Sequence, residues 1–330
     1  MKTIRIHLKP NYSASDYYRA ILPYRQLKAP LAQEGVRLEI AHGHLAEEEI
    51  DALVCHRLVH TDFFVHLTAQ RYRNLNLAWD TDDSFNDIPP WSPLQLSQND
   101  RNVYACFPNL ADKIWCSTEA LRHRLEYDSF TTVLPNLLDI HAWRGGAQPP
   151  EDEDEIRILW AGSNTHAADL TLIEGAVANI LRIHPKVVFC FMGDMPANWI
   201  ASWWGRVRRY PWCPVEQYPQ FLQSIRPHIG LAPLVDHPFN ECKSDIKAIE
   251  YTMAGAAVVA SGVAYAEVPG VAVASTETGE SWVDMMDRLI VYKDMRKRGH
   301  AEAMAYACAK RVWNVETTKV WLDAYMGLVK

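Results

Sequence analysis

Short apolar runs recur along the chain with stretches of helical period between them, the pattern of parallel strands joined by crossover helices. The first half predicts strands at Thr3 to Leu8, Val36 to Ala41, Ala52 to Cys55, Leu75 to Trp79, Lys113 to Cys116 and Thr131 to Leu134. The pattern breaks at WRGGAQPPEDEDE, residues 143–155, where Gly-Gly, Pro-Pro and an acidic run do not make a packed element. It restarts with Ile156 to Trp160, Val187 to Met192, Ile229 to Leu234, Ala257 to Ala260 and Val271 to Val273. From about Ser281 onward the chain lacks Pro and is rich in Ala, Met, Lys and Arg, which predicts two or three helices. The fold class is therefore α/β, with a first unit over 1–142, a linker over 143–155 and a second unit over 156–311. In doubly wound sheets ligands bind outside the carboxyl ends of the strands, so the loops after the strands carry the candidate chemistry.

Composition narrows the function. The chain has 330 residues, 48% hydrophobic and 22% charged, enough material for two cores. Before residue 140 there are 14 basic and 18 acidic residues, and after it 19 and 22, so the halves carry −4 and −3 and neither is a basic nucleic-acid module. Seven cysteines without a C-x-x-C indicate neither a disulfide framework nor a zinc knuckle, and they suit a reducing compartment. The start, MKTIRIHLKP, lacks the features of a signal peptide, and no stretch approaches the ~20 apolar residues that cross a bilayer. A cytoplasmic protein without an integral membrane segment is expected. The 12 Trp and 14 Tyr add amphipathic rings of the kind that line sites for sugars and other flat ligands as well as cores.

The most informative segment is PFNECKSDIKAIEYTMAGAAVVAS, Pro238 to Ser261. On one helix Asn240, Lys243, Ser244, Lys247 and Glu250 share a face, opposite Ile246, Ile249 and Met253. Two ammonium groups, a hydroxyl and an amide near a helix start, with a carboxylate about two turns on, suit a nucleoside diphosphate: cations for the phosphates, Glu250 for ribose hydroxyls. A solvated amphipathic face has the same spacing. The buried-strand run AAVVAS after Gly255 sets this helix beside the sheet.

Three loops join it. In IRILWAGSNTHAADL a strand enters a turn of Gly162, Ser163, Asn164, Thr165 and His166 that opens a helix, where backbone amides admit a phosphate; it is neither G-x-G-x-x-G nor a P-loop. In WDTDDSFNDIPP, Asp80, Asp82 and Asp83 follow a first-unit strand and could bind a metal, orient a hydroxyl or act as a base. Lys243 and Lys247 already answer a diphosphate, so no metal is called for and the acidic loop is read as acceptor-facing. NYSASDYYR brings Ser15, Tyr18 and Arg19 into the cleft, with Arg19 in reach of a phosphate on the opposing unit or, more simply, a helix cap at Ser15 or Asp16.

Two features are set aside. His56 and His60 stand at i, i+4 with Asp62 nearby and without H-E-x-x-H, and read as a structural or solvent-facing pair rather than a zinc site. The run Trp199 to Trp212 interleaves aromatics with Arg206, Arg208 and Arg209, as grooves for single-stranded nucleic acid do, and is read as a partly buried helix-strand pair with a basic edge.

Together ASDYYR, WDTDDSFNDIPP, ADKIWCSTEAL, VLPNLLD, ILWAGSNTHAADL and above all PFNECKSDIKAIEYTMAGAAVVAS resemble the GT-B glycosyltransferases of the family 4-like group, many of them bacterial or phage-encoded. The resemblance covers most of the chain. It implies two Rossmann-like domains facing a central cleft, with the last segment, 312–330, returning to the first domain. It implies transfer of a hexosyl or pentosyl group from a nucleotide-sugar, usually with retention and without a metal or other cofactor, the donor on the second domain and the acceptor mainly on the first. In the group's E-x7-E signature Glu250 takes the second, ribose-binding place, and Cys242 stands at the first. Ser163 and Asn164 replace the usual Arg and Lys, so Lys243, Ser244 and Lys247 become the phosphate grip. Asp80 falls where a histidine often touches the donor sugar.

The catalytic candidates are thus Asp80, Asp82, Lys243 and Lys247. The donor-binding candidates are Gly162, Ser163, Asn164, His166, Asn240, Lys243, Ser244, Lys247 and Glu250, and Ser15, Tyr18, Arg19 and Asp83 are placed in the cleft or against the acceptor. The acceptor stays open: a glycan, a small molecule or modified DNA. Two other readings share these residues, a phage-type enzyme that glycosylates a hydroxylated base in DNA and a catalytically silent nucleotide-sugar-binding protein.

Overall fold

The computed structural model describes residues 1–8, 13–42, 50–57, 61–71, 75–151, 154–194, 205–275 and 279–330, and among these two six-stranded sheets form. The first contains β1 (Lys2–Leu8), β2 (Val36–His42), β3 (Ala52–His56), β4 (Asn76–Thr81), β5 (Lys113–Cys116) and β6 (Thr131–Val133), in the order β2-β1-β3-β4-β5-β6. The second contains β7 (Ile156–Gly162), β8 (Val187–Gly193), β9 (Val207–Tyr210), β10 (Ile229–Ala232), β11 (Ala257–Ser261) and β12 (Ala272–Ala274), in the order β12-β11-β10-β7-β8-β9. All their pairings are parallel. Each order reverses once, between β1 and β3 and between β7 and β10, and a reversal opens a crevice at the carboxyl ends of the strands.

Burial follows from covering both faces of each sheet. Strands β3 (ALVCH) and β11 (AVVAS) are buried at every residue, as continuous apolar runs in parallel sheets are. Along β7, alternation sends Ile156, Ile158 and Trp160 into one cluster with Ile173 and Trp282, and Leu159 and Ala161 into another with Tyr251. That second cluster is continuous across the molecule, joining Ile4 and Ile6 of β1 to Leu138, Trp143, Tyr251 and Met253.

The tail packs against elements of the first sheet. In the helix Val315–Met326, Trp321 and Tyr325 are buried. Trp321 lies under the Arg19 guanidinium at 4.8 Å, and Tyr325 packs on Trp115 at a centroid distance of 4.8 Å. Lys2 Nζ donates to the Val329 carbonyl, and Asn76 Nδ2 donates to that of Leu328 at 2.7 Å. The final stretch forms three helices, Gly279–Val291, Lys293–Lys310 and Val315–Met326.

Three expectations change. The linker is docked at its start: Trp143 is buried, its carbonyl accepts from Gln223 Nε2 at 2.7 Å, and Ala147 N–H donates to the Met253 carbonyl at 2.8 Å. The single helix expected from Asn240 onward is two, Pro238–Glu241 and Ile246–Met253. Ser244 and Asp245 interrupt it because both are bound elsewhere, Ser244 Oγ accepting from Asn136 Nδ2 and the Asp245 carboxylate from Arg311 and Tyr306. In the aromatic and basic run, β9 is an edge strand beside β8, and Arg208 is spent in a two-pronged ion pair with Glu155. Arg206 donates to the His184 carbonyl at 3.1 Å. Residues 199–204 of that run and His60 lie outside the described residues.

Candidate functional site

The second sheet reverses beside β7, and there the structure makes room by omitting side chains. Gly162 and Gly193, the last residues of β7 and β8, are register partners. A Cβ on Gly193, where φ is +108°, would stand 2.1 Å from the Gly162 carbonyl oxygen. One on Gly162 would stand 2.6 Å from the Trp160 ring and 3.2 Å from Lys247 Nζ. In front of these glycines lies a cavity of about 490 Å³. Its second-domain lining includes Gly162, Ser163, His166, Lys247 and Glu250 at the end of β7, and Trp212, Cys213, Pro214, Val215 and Tyr218 beyond β9. Ser13, Ala14 and Tyr18 close it from the first domain.

Lys247 and Glu250 lie one turn apart on the helix Ile246–Met253. Lys247 Nζ donates to the Ala161 carbonyl at 3.0 Å and stands 5.2 Å from the centre of the Trp160 ring. Burial lowers its pKa to about 8, against the opposing pull of Glu250. Burial raises the carboxyl of Glu250, partly offset by the Tyr18 hydroxyl and by Lys247. Its two oxygens accept from different domains, Oε1 from Tyr18 and Oε2 from Tyr218 at 3.3 Å. His166 is lowered to about 4 by burial and then by the Lys247 charge, so its ring is neutral at pH 7 and Nδ1, 2.7 Å from Asp169, is the nitrogen that donates.

The first domain presents a chain of paired charges at its own reversal, where β3 ends. Asp80 binds Arg19 through both oxygens and His56 Nδ1 at 2.7 Å. Burial works to raise its carboxyl, yet Arg19 and His56 hold it below the ordinary carboxylate range. His56 Nε2 lies 2.9 Å from Ser15 Oγ, which donates to Asp82. Arg57 clamps Asp82 and reaches Asp83 at 2.8 Å, and Asp83 meets Lys243 across the cleft at 3.1 Å. Against burial, Arg57 and His56 hold the Asp82 carboxyl well below its ordinary value.

The predicted residues therefore separate. Gly162, Ser163, His166, Lys247, Glu250 and Tyr18 share one cavity. Lys243 and Ser244 do not join them: they line a second interdomain cavity of about 520 Å³ with Thr118, Asn136 and Arg311. Arg19, expected to reach a phosphate, cannot, because its buried guanidinium is used up on Asp80, the Leu134 carbonyl and Asn136. Asp80 is equally enclosed and faces neither cavity. Asn240 is buried and donates to the Val235 carbonyl at 2.9 Å, and Asn164 is exposed outside both cavities. Arg57 and Tyr218 carry no signal in the sequence, and His56 and Trp212 are set aside there, as half of a histidine pair and as the end of the aromatic run. For His56 the available signal was position: it pairs in register with Asp80 at the carboxyl ends of adjacent strands. Among the described residues no group of three His, Cys, Asp or Glu side chains could hold a metal ion, and no helix is long and apolar enough to cross a membrane.

No protein-family model and no curated protein matches the sequence. Solved structures do match. A sucrose-phosphate synthase from Thermosynechococcus elongatus is 11% identical, with 99% of each chain covered and a TM-score of 0.72. The α,α-trehalose 6-phosphate synthase of Burkholderia multivorans is 11% identical, with 99% of this chain and 96% of that one covered and a TM-score of 0.61. The fold is GT-B. A third match is MnaA of S. aureus, solved with UDP, at 13% identity, 99% and 98% coverage and a TM-score of 0.58. In this GT-B chain the first cavity sits on the cleft side of the second domain, and Tyr18 is the first-domain side chain that reaches across to Glu250.

Proposed function

We propose that the chain transfers a sugar from a nucleoside diphosphate-sugar to an acceptor hydroxyl. The observation that carries this reading is the placement of Lys247 and Glu250, one turn apart, against the glycine turn of β7 inside an interdomain cavity. The cavity is graded. Lys247 and the backbone at Gly162 and Ser163 suit the diphosphate, Glu250 the ribose hydroxyls, and the surfaces of Trp212, Pro214 and Val215 a base.

A leaving diphosphate gains negative charge as its bond to the sugar breaks. Lys247 meets that charge with a partly desolvated ammonium group, which acts more strongly than one in water. The transfer proceeds without a metal in this reading, because the cation that answers the phosphates, Lys247, belongs to the protein. Retention at the sugar carbon is supported by the sequence resemblance. Asp80 serves as framework, while Lys243 and Asp82 keep their catalytic candidacy at the cleft.

Thermal melting with UDP, GDP, ADP and CDP and their glucose conjugates tests the donor site. One series stabilises the protein, by about 2.7 kcal/mol at 100 times its dissociation constant, and Glu250→Ala loses the effect. No stabilisation by any of them overturns the assignment. Release of nucleoside diphosphate from the bound conjugate separates an enzyme from a silent binding protein.

A further inference from the structure

We infer that Ser15, backed by His56 and Asp82, is the seat of the acceptor hydroxyl, and that the acceptor group it takes is an uncharged alcohol. The inference rests on the transfer reaction proposed above and names its second substrate class. Hydrogen bonding around Ser15 makes the case. Asp80 is an ionised carboxylate that only accepts, so His56 Nδ1 must donate to it. That leaves His56 Nε2 and Asp82 as neighbours of Ser15 Oγ, with one hydroxyl hydrogen between them. If Nε2 carries a hydrogen it donates to Ser15, Ser15 donates to Asp82, and one lone pair on the Ser15 oxygen has no donor. If Nε2 is bare, Ser15 has a single hydrogen for two acceptors and both of its lone pairs are empty. In each case the cluster accepts one more hydrogen at Ser15.

Position says what brings it. His56 ends β3 and Ser15 follows β1, the two strands between which the first sheet reverses, so the pair occupies the crevice where such sheets bind ligands. His56 is buried, whereas Ser15 is half-buried, next to Ser13 and Ala14 on the cavity wall. Ser15 lines neither cavity itself and meets the substrate from beside that wall, while buried His56 is a positioning residue that acts through it. Charge decides the class. Arg19 and Arg57 are committed to Asp80, Asp82 and Asp83, so among the described residues the seat offers carboxylates and no spare cation, which suits an alcohol and repels a phosphate.

The test uses the full chain, the nucleotide-sugar that stabilises it and two probes, glycerol and glycerol 3-phosphate. Glycerol is glycosylated at least tenfold faster than glycerol 3-phosphate. Ser15→Ala slows transfer to glycerol about tenfold and leaves donor binding within twofold, and Ser15→Thr keeps most of the rate. His56→Gln slows transfer less than Ser15→Ala, and the double variant is no slower than Ser15→Ala alone, because both act through one oxygen. Should Ser15→Ala fail to fold, the Thr and Gln variants carry the comparison. Absence of nucleotide binding by the wild type overturns the transfer reading itself. With binding intact, no transfer to glycerol, unchanged transfer in Ser15→Ala, an equal loss of donor binding, additive effects in the double variant, or preference for glycerol 3-phosphate overturns the seat.

Discussion

The two walls of the cleft handle charge in opposite ways. On the first domain each ion is answered by another: Arg19 by Asp80, Arg57 by Asp82 and Asp83, with His56 between the two carboxylates. On the second, Lys247 has a backbone carbonyl, and Glu250, the carboxylate one turn away, has its oxygens taken up by tyrosine hydroxyls. Burial wins there and moves both groups toward their neutral forms. A closed network stiffens a wall, whereas a desolvated, under-answered pair is a vacancy for charge that a ligand brings.

The largest effect should separate the walls by stability. Asp80→Ala strands the buried Arg19 cation and lowers unfolding free energy by roughly 3–5 kcal/mol, read from urea midpoints. The depressed Asp80 pKa gives the sign with pH: its contribution is full at neutral pH and fades as pH falls through the lowered value, so the gap between wild type and Asp80→Asn closes in acid. Lys247→Met makes the opposite trade. It removes a poorly answered cation, so stability holds or rises by about 1–2 kcal/mol, while calorimetry shows nucleoside diphosphate affinity falling roughly 10- to 100-fold. A Lys247→Met protein as unstable as Asp80→Ala would erase the contrast.

The smallest effect sharpens it. Lys247 is lowered from 10.5 to about 8, so its charged form carries a stability penalty below pH 8 that fades as pH rises toward 10.5. A bound diphosphate favours the charged form. Affinity should then be level below pH 8 and fall by up to about tenfold between pH 8 and 9, a decline that Lys247→Arg removes. A flat wild-type profile would place the phosphates away from Lys247.

Strand positions were legible because both sheets are covered on both faces, which writes runs such as AVVAS into the chain. Lys247 and Glu250 were legible because a three-residue spacing survives as one helix face. Lys243 and Ser244 were not, since the break before Ile246 depends on Asn136 and Arg311, more than 60 residues away in either direction. Arg19 misled for a related reason: an arginine beside tyrosines reads as a surface group until Asp80 and Trp321 are seen to enclose it. His56 was passed over as half of a histidine pair, although its partners, Ser15 and Asp80, are brought to it by the register of parallel strands.

The returning tail sets an order of events during synthesis. The strands of both sheets are made before Trp321 and Tyr325, which cover Arg19 and Trp115 in the first domain. The second sheet can form while the first still waits for the helix Val315–Met326. Until then the network of Arg19 and Asp80 stands open to water on one side, so the nascent chain can assemble the wall that carries Lys247 and Glu250 before the wall that faces it is complete.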